Sequence, residues 1–288
     1  RVRSEGKRAY VVQPENFEGL KVEAVRFHES RPVEWLATAS QIPAIANHRS
    51  AGPFTPETPL ALIAESEEFV PIADAYVSTL AWQRVALFLS GIREKAISSM
   101  IAAWEYAPQV TAGAKTNFEA ETKIFEAVRD RLDLMVGQKY DPFGARTAAE
   151  VLETRRATPM EQVMIMVTLL AASGLPGEIA VVRPEAWGPL DENLQSFVQF
   201  SEVAIRCGKN NTRWYVPYLD DAPAGKLPAE WGNAWVLAPT PGLVARAAQA
   251  ANEIMNDPSV DAHAAFAQIR QRSEDEGWFI LEQVDGSK

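Results

Sequence analysis

Residues 148–182 read AAEVLETRRATPMEQVMIMVTLLAASGLPGEIAVV, and this stretch decides the fold. A short helix from Ala148 ends near Arg155. Thr158-Pro159-Met160-Glu161 then opens a second, longer helix as a capping box. Thr158 is the N-cap, Pro159 takes the first helical position, and Glu161 at the third position reaches back to the cap. Proline is tolerated there because its missing N–H has no intrahelical partner in any case. The helix over 159–173 is apolar almost all round, from Met160 through Leu170, so it is expected to be buried on most sides. Gly174 is its C-terminal stop and Pro176 blocks continuation. A strand over Glu178–Arg183 follows.

Working outward from this stretch, the spacing predicts helices over Tyr76–Phe88, Arg93–Tyr106 and Asn117–Val136. The last has Ile124, Phe125, Val128 and Leu132 as its apolar stripe. Pro108 and Gly113 punctuate the second, 141–144 (DPFG) is a loop, and Thr147–Glu150 is another capping box. Upstream, Arg8–Gln13 and Lys21–Phe27 are strand-like, and Pro and Gly cluster at Ala51–Pro59. Downstream, Ser196–Cys207, Arg213–Pro217 and Ala234–Leu237 read as strands, with Gly208–Asn211 as a hairpin turn. Leu243–Met255 and Ala262–Ser273 read as helices, and Trp278–Val284 as a closing strand. A central helix followed by antiparallel strands gives an α+β fold.

The bulk numbers exclude several functions. A net charge of -10 and a pI near 5.0 speak against nucleic acid as a main partner, which needs clustered Lys and Arg. No run of about 20 apolar residues is present, so no membrane span is expected. One cysteine, Cys207, rules out an internal disulfide and any cysteine-based zinc cluster. The three histidines, His28, His48 and His263, lack metal-ligand spacing, and no cofactor motif is found. No metal and no cofactor are therefore expected. The chain opens on Arg1 without methionine or signal peptide, as a processed chain or a piece of a longer one does.

From about Ala75 to Pro217 the sequence resembles the bacterial transglutaminase-like superfamily. The resemblance rests on Ala81-Trp-Gln-Arg-Val85, on Lys123–Asp130, on Ala148–Leu152 and on the 159–174 helix, all in the expected order. It implies a transglutaminase-like, papain-like core with a central helix packed on an antiparallel sheet, flanking helices and a small N-terminal β segment. Three parts are expected: a β-rich segment over 1–70, the transglutaminase-like domain over 71–240, and a helical segment with a closing strand over 241–288. The family carries a cysteine on the first turn of the long helix, a histidine on the second strand and an aspartate on the next. Pro159, Glu202 and Val216 stand at the matching positions of this chain. A thiolate, a base in reach and a group that orients it are all needed for the chemistry, so these positions imply a degenerate triad with no catalytic residue.

The resemblance thus implies a non-catalytic binding or scaffold module. It would act through the degenerate cleft, with Glu161, Trp187, Phe200, Glu202 and Trp214 as candidate contact residues. The partner is a protein, a peptide or a neighbouring domain of a longer chain, in an extracytoplasmic, periplasmic setting. An alternative keeps the chain an enzyme, a hydrolase or acyltransferase on amides or glycans. That version uses Cys207 as a displaced nucleophile, or Glu161 and Glu202 as an acid/base pair.

Overall fold

Helix α5, Pro159–Ala172, is the element around which the larger part of the chain packs. The computed structural model describes residues 2–3, 9–15, 20–28, 31–39, 60–66, 69–72, 75–78, 82–99, 101–135, 146, 148–191, 195, 199–208, 212–255 and 262–286. The chain divides into two units, Arg1–Trp82 with Pro189–Gln199, and Gln83–Gly188 with Phe200–Lys288.

The first unit is a set of strands. They are β1 (Val2–Arg3), β2 (Ala9–Glu15), β3 (Leu20–His28), β4 (Arg31–Ala39), β5 (Leu60–Ser66), β6 (Phe69–Ile72) and β7 (Ala75–Ser78). β1, β4 and β3 form one antiparallel sheet, while β2 pairs with β5 and β6 with β7. The helix expected from Tyr76 is therefore corrected: Tyr76 lies in β7 opposite Pro71. The alternating, β-prone run Ala75–Ser78 took the strand form, and helix starts only at Trp82. The Pro/Gly cluster at Ala51–Pro59 lies outside the described residues.

The second unit is mixed helix and antiparallel sheet, an α+β arrangement. Its helices before α5 are α1 (Trp82–Ser99), α2 (Ile101–Val110), α3 (Asn117–Arg131) and α4 (Ala148–Thr154). α3 stops five residues short of the expected end at Val136. Leu132 turns extended so that β8 (Asp133–Leu134) can pair in parallel with β9 (Arg156–Ala157), the two residues leading into α5. Pro108 lies inside the last turn of α2 and does not end it. The loop expected at 141–144 and the cap at Thr147 lie outside the described residues.

After α5 come β10 (Gly177–Arg183), β11 (Glu202–Cys207), β12 (Arg213–Tyr215) and β13 (Asn233–Pro239). Helices α6 (Leu243–Met255) and α7 (Ala262–Asp275) and the strand β14 (Phe279–Asp285) complete the unit. One antiparallel sheet runs β12-β11-β10-β13-β14, so the closing strand pairs at its edge over seven residues, Asn233↔Asp285 to Pro239↔Phe279.

The register fixes which residues face α5. Gly177 pairs with Cys207, and a Cβ on Gly177 would lie 2.8 Å from Leu170 of α5. Gly177, Ile179 and Val181 of β10, with Val203, Ile205 and Cys207 of β11, therefore share the face toward the helix. Met160, Val163, Met166 and Leu170 of α5 are buried, each contributing about 1.5–3 kcal/mol by leaving water.

Candidate functional site

The start of α5 is sealed by its own sequence. The Thr158 hydroxyl accepts from the Glu161 N–H at 3.3 Å, and the Glu161 carboxylate accepts from the Thr158 N–H at 2.8 Å. Both halves of the expected capping box are present, with Pro159 at the first helical position. The β8–β9 pairing delivers the chain to this point, through Asp133 N–H donating to the Arg155 carbonyl at 2.8 Å.

A residue that sequence reasoning missed completes the seal. Arg146 donates to Glu161 through its backbone N–H and its Nε, both at 3.0 Å, and through Nη2 at 2.9 Å. It also bonds the Thr154 hydroxyl at 3.2 Å and the Arg156 carbonyl. Burial alone would push the Glu161 carboxyl up. The Arg146 side chain and the backbone N–H groups of Thr158 and Arg146 outweigh it and hold the carboxyl below the usual range. Glu161, 3% exposed, is thus a buried, ionised and fully engaged carboxylate at the positive end of the helix.

Glu202 sits in a different environment. It pairs with Val182 and so lies on the sheet face turned away from α5, while its neighbour Val203 lies on the face toward it. Val216, fully buried, follows Tyr215 at the end of β12. Continuing the β11–β12 register (Ile205↔Tyr215) brings Pro217 opposite Val203. Proline has no N–H for the ladder, and the Tyr218 hydroxyl takes over. It accepts from the Val203 N–H at 3.3 Å, lies 3.0 Å from the Val203 carbonyl and lies 2.9 Å from a Glu202 carboxyl oxygen.

The single Tyr218 hydroxyl proton has two acceptors at about 3 Å, the Val203 carbonyl and the Glu202 carboxyl. Burial raises the Glu202 carboxyl to about 7 and outweighs the downward pull of the Tyr218 O–H. The Glu161 carboxyl is thus held low and the Glu202 carboxyl high, in different surroundings.

Cys207 is 1% exposed on the face toward α5. Burial, reinforced by the nearby Glu121 charge, drives its thiol well above the ordinary range. Glu121 is itself 1% exposed, takes Arg213 Nε and Nη2 at 2.6 and 2.7 Å, and accepts from the Tyr215 hydroxyl at 2.8 Å. The sequence held a clue to this buried ion pair. Glu121 stands three and four residues before Ile124 and Phe125, on the apolar stripe of α3.

Trp187, Phe200 and Trp214 are all buried, so they offer no open aromatic platform. Trp187 instead gives its carbonyl to the buried Arg183, whose Nε bonds the Gly188 carbonyl at 3.1 Å. Glu178, 6% exposed, lies 3.4 Å from Arg93, and burial raises its carboxyl to about 7 against the pull of that arginine. Among the described residues no group of three or more His, Cys, Asp or Glu is placed to hold a metal ion. No helix among them is long and apolar enough to cross a membrane.

No family model matches the chain, and no curated protein matches it. Among solved structures it is similar to a putative cysteine protease from Cytophaga hutchinsonii, at 9% identity and a TM-score of 0.35, over 76% of this chain and 69% of that one. It is also similar to a putative protease from Parabacteroides distasonis, at 14% identity and a TM-score of 0.53, over 80% of this chain. The match spans 40% of that second protein's length. At 14% identity the likeness to the Parabacteroides protein speaks for the fold alone, a mixed helix and antiparallel-sheet, α+β arrangement.

Proposed function

We propose that this chain is a non-catalytic, transglutaminase-like module that works by binding a protein, a peptide or a neighbouring domain of a longer chain. The observation that carries the reading is the start of α5. On the sequence resemblance Pro159 stands where the family places its thiol, and the helix end around it is closed by Thr158, Glu161 and Arg146. The sheet offers no histidine in either register. The positions aligned from the sequence are Glu202 and Val216, and those facing the helix are Val203 and, by continuation, Pro217.

Two routes to residual chemistry are weakened by the same geometry. Cys207 is sealed and its thiol is held protonated at neutral pH. Glu161 is saturated by Arg146 and by the cap, and Glu202 faces away from α5. With Trp187, Phe200 and Trp214 buried, the contact surface falls to the exposed edge beside the helix start, at Leu152, Arg155 and Arg156. The family resemblance favours an extracytoplasmic setting for it.

The test pairs turnover with thiol labelling on the full chain. Peptide and amide substrates are expected to show no turnover above a buffer blank. Cys207 is expected to react with a thiol reagent only after denaturant is added. Turnover that disappears in Cys207→Ser or in Glu202→Gln would overturn the proposal.

A further inference from the structure

A cavity of about 470 Å³ opens between α2, α3, α4 and α5. Its volume lies within the range of pockets that hold small ligands. Most of its wall is apolar, with Ile165 and Leu169 of α5 and Leu152 of α4 among the lining residues. Leu152 is 39% exposed, one of three large apolar side chains left open among the described residues.

Two guanidinium groups stand on this wall, Arg131 at the end of α3 and Arg155 after α4. Arg131 stacks over the Tyr106 ring, 4.2 Å from its centroid, and Tyr106 lines the cavity too. Stacking orients the guanidinium and leaves its N–H donors for another partner. Asp130, the acid on the same wall, lies 3.8 Å from Arg129. Among the described residues neither Arg131 nor Arg155 forms an ion pair, in a chain whose net charge is -10.

Arg155 adds a second observation. With φ at 53°, it is the single described non-glycine residue in the left-handed region. Glycine and asparagine tolerate that conformation far better. The corner is fixed by the Asp133 N–H bond to the Arg155 carbonyl. Arg155 directly follows the last residue of α4, where a left-handed residue ends the helix, and this turn sets its exposed side chain at the wall of the cavity.

We propose that this cavity binds a small amphipathic carboxylate, with its apolar body against Ile165 and Leu169 and its carboxylate met by Arg131 and Arg155. The planar guanidinium fork suits a carboxylate, and the apolar wall suits the rest of the molecule. The cavity shares Leu152 and Arg155 with the proposed contact edge, and its ligand stands whether or not the chain turns over an amide.

The test is calorimetric titration of the full chain with octanoate, 1-octanol and octylammonium, all below their aggregation limits. Octanoate is expected to bind one to one, with octylammonium and octanol at least about tenfold weaker, the span of one charge-assisted hydrogen bond. Arg155→Asn, a residue at home in the left-handed region, is expected to keep the melting temperature and lose about tenfold in octanoate affinity. Ala127→Phe, which fills the cavity, is expected to abolish binding. Equal affinity for octanoate and octylammonium, or unchanged octanoate binding in Arg155→Asn, overturns the proposal. The comparison of the three probes needs no variant to fold.

Discussion

Replacing Glu202 by glutamine turns the burial of the Glu202 carboxyl into a measurable stability. The folded chain holds the Glu202 carboxyl at about 7, against an ordinary value of 4.5. Its pKa is raised on folding, so its stabilising share is fully present below about pH 4.5 and is lost as pH rises through 7. At about 1.36 kcal/mol per tenfold change in proton affinity, the gap sets a ceiling of about 3.4 kcal/mol. Glu202 is half-buried, and solvent screening brings the expected loss between pH 5 and pH 8 to about 2 kcal/mol. Glutamine mimics the neutral acid, because it cannot ionise and its amide oxygen still accepts from the Tyr218 O–H. Glu202→Gln should therefore match the parent chain at pH 5 and exceed it by about 2 kcal/mol at pH 8. The assay is urea unfolding of both proteins across that range. Glu178, also raised to about 7, titrates in both and cancels in the difference. A difference that stays flat with pH, or a variant less stable at pH 8, refutes a raised Glu202 carboxyl.

Three further outcomes follow from single contacts. Arg213→Met leaves the buried Glu121 carboxylate with the Tyr215 hydroxyl but no guanidinium beside it, and should cost about 3 kcal/mol in denaturant unfolding, the usual loss when one member of a buried pair is removed. Thr158→Ala removes the hydroxyl that caps α5 and should cost about 1 kcal/mol by the same measurement. Gly177→Ala drives a methyl to 2.8 Å from Leu170, and the overpacking should lower stability by about 1–3 kcal/mol, read as a drop in melting temperature.

The central helix was legible because every level of its sequence agreed. Cap, proline, buried run and terminal glycine all pointed to one element, and the helix formed over Pro159–Ala172 with the cap as expected. The segment Leu243–Met255 was read to the residue for the same reason, a long periodic run with Gly242 before it. Short pieces were not legible. β8 and β9 are two residues each and exist only because the two ends of a long connection meet. Local propensity carries no trace of such a meeting. Arg146 is invisible for a related reason, since its partner Glu161 is 15 residues away and the tie is made by the fold. Register decides more than residue type at the sheet: Glu202 and Val203 are neighbours, and a one-residue difference sends one toward α5 and the other away.

Under the proposed function, the loss of a nucleophile and the strength of the α5 cap are one change. A thiol at the first turn of a helix is reactive because the positive end of the dipole is left for the thiolate to use. Here that positive end already faces an ionised Glu161, folded back on the Thr158 N–H and tied to Arg146. A second negative charge beside it would meet repulsion, and only the charge of Arg146 would offset it. Pro159 adds a fixed φ where a catalytic side chain would need freedom to approach a carbonyl. Groups that make a helix start stable are the ones that make it unreactive, which is the usual trade between stability and activity at a catalytic site. Leu152, one of the three large apolar side chains left exposed among the described residues, lies instead on the cavity flanked by α4, beside Arg155.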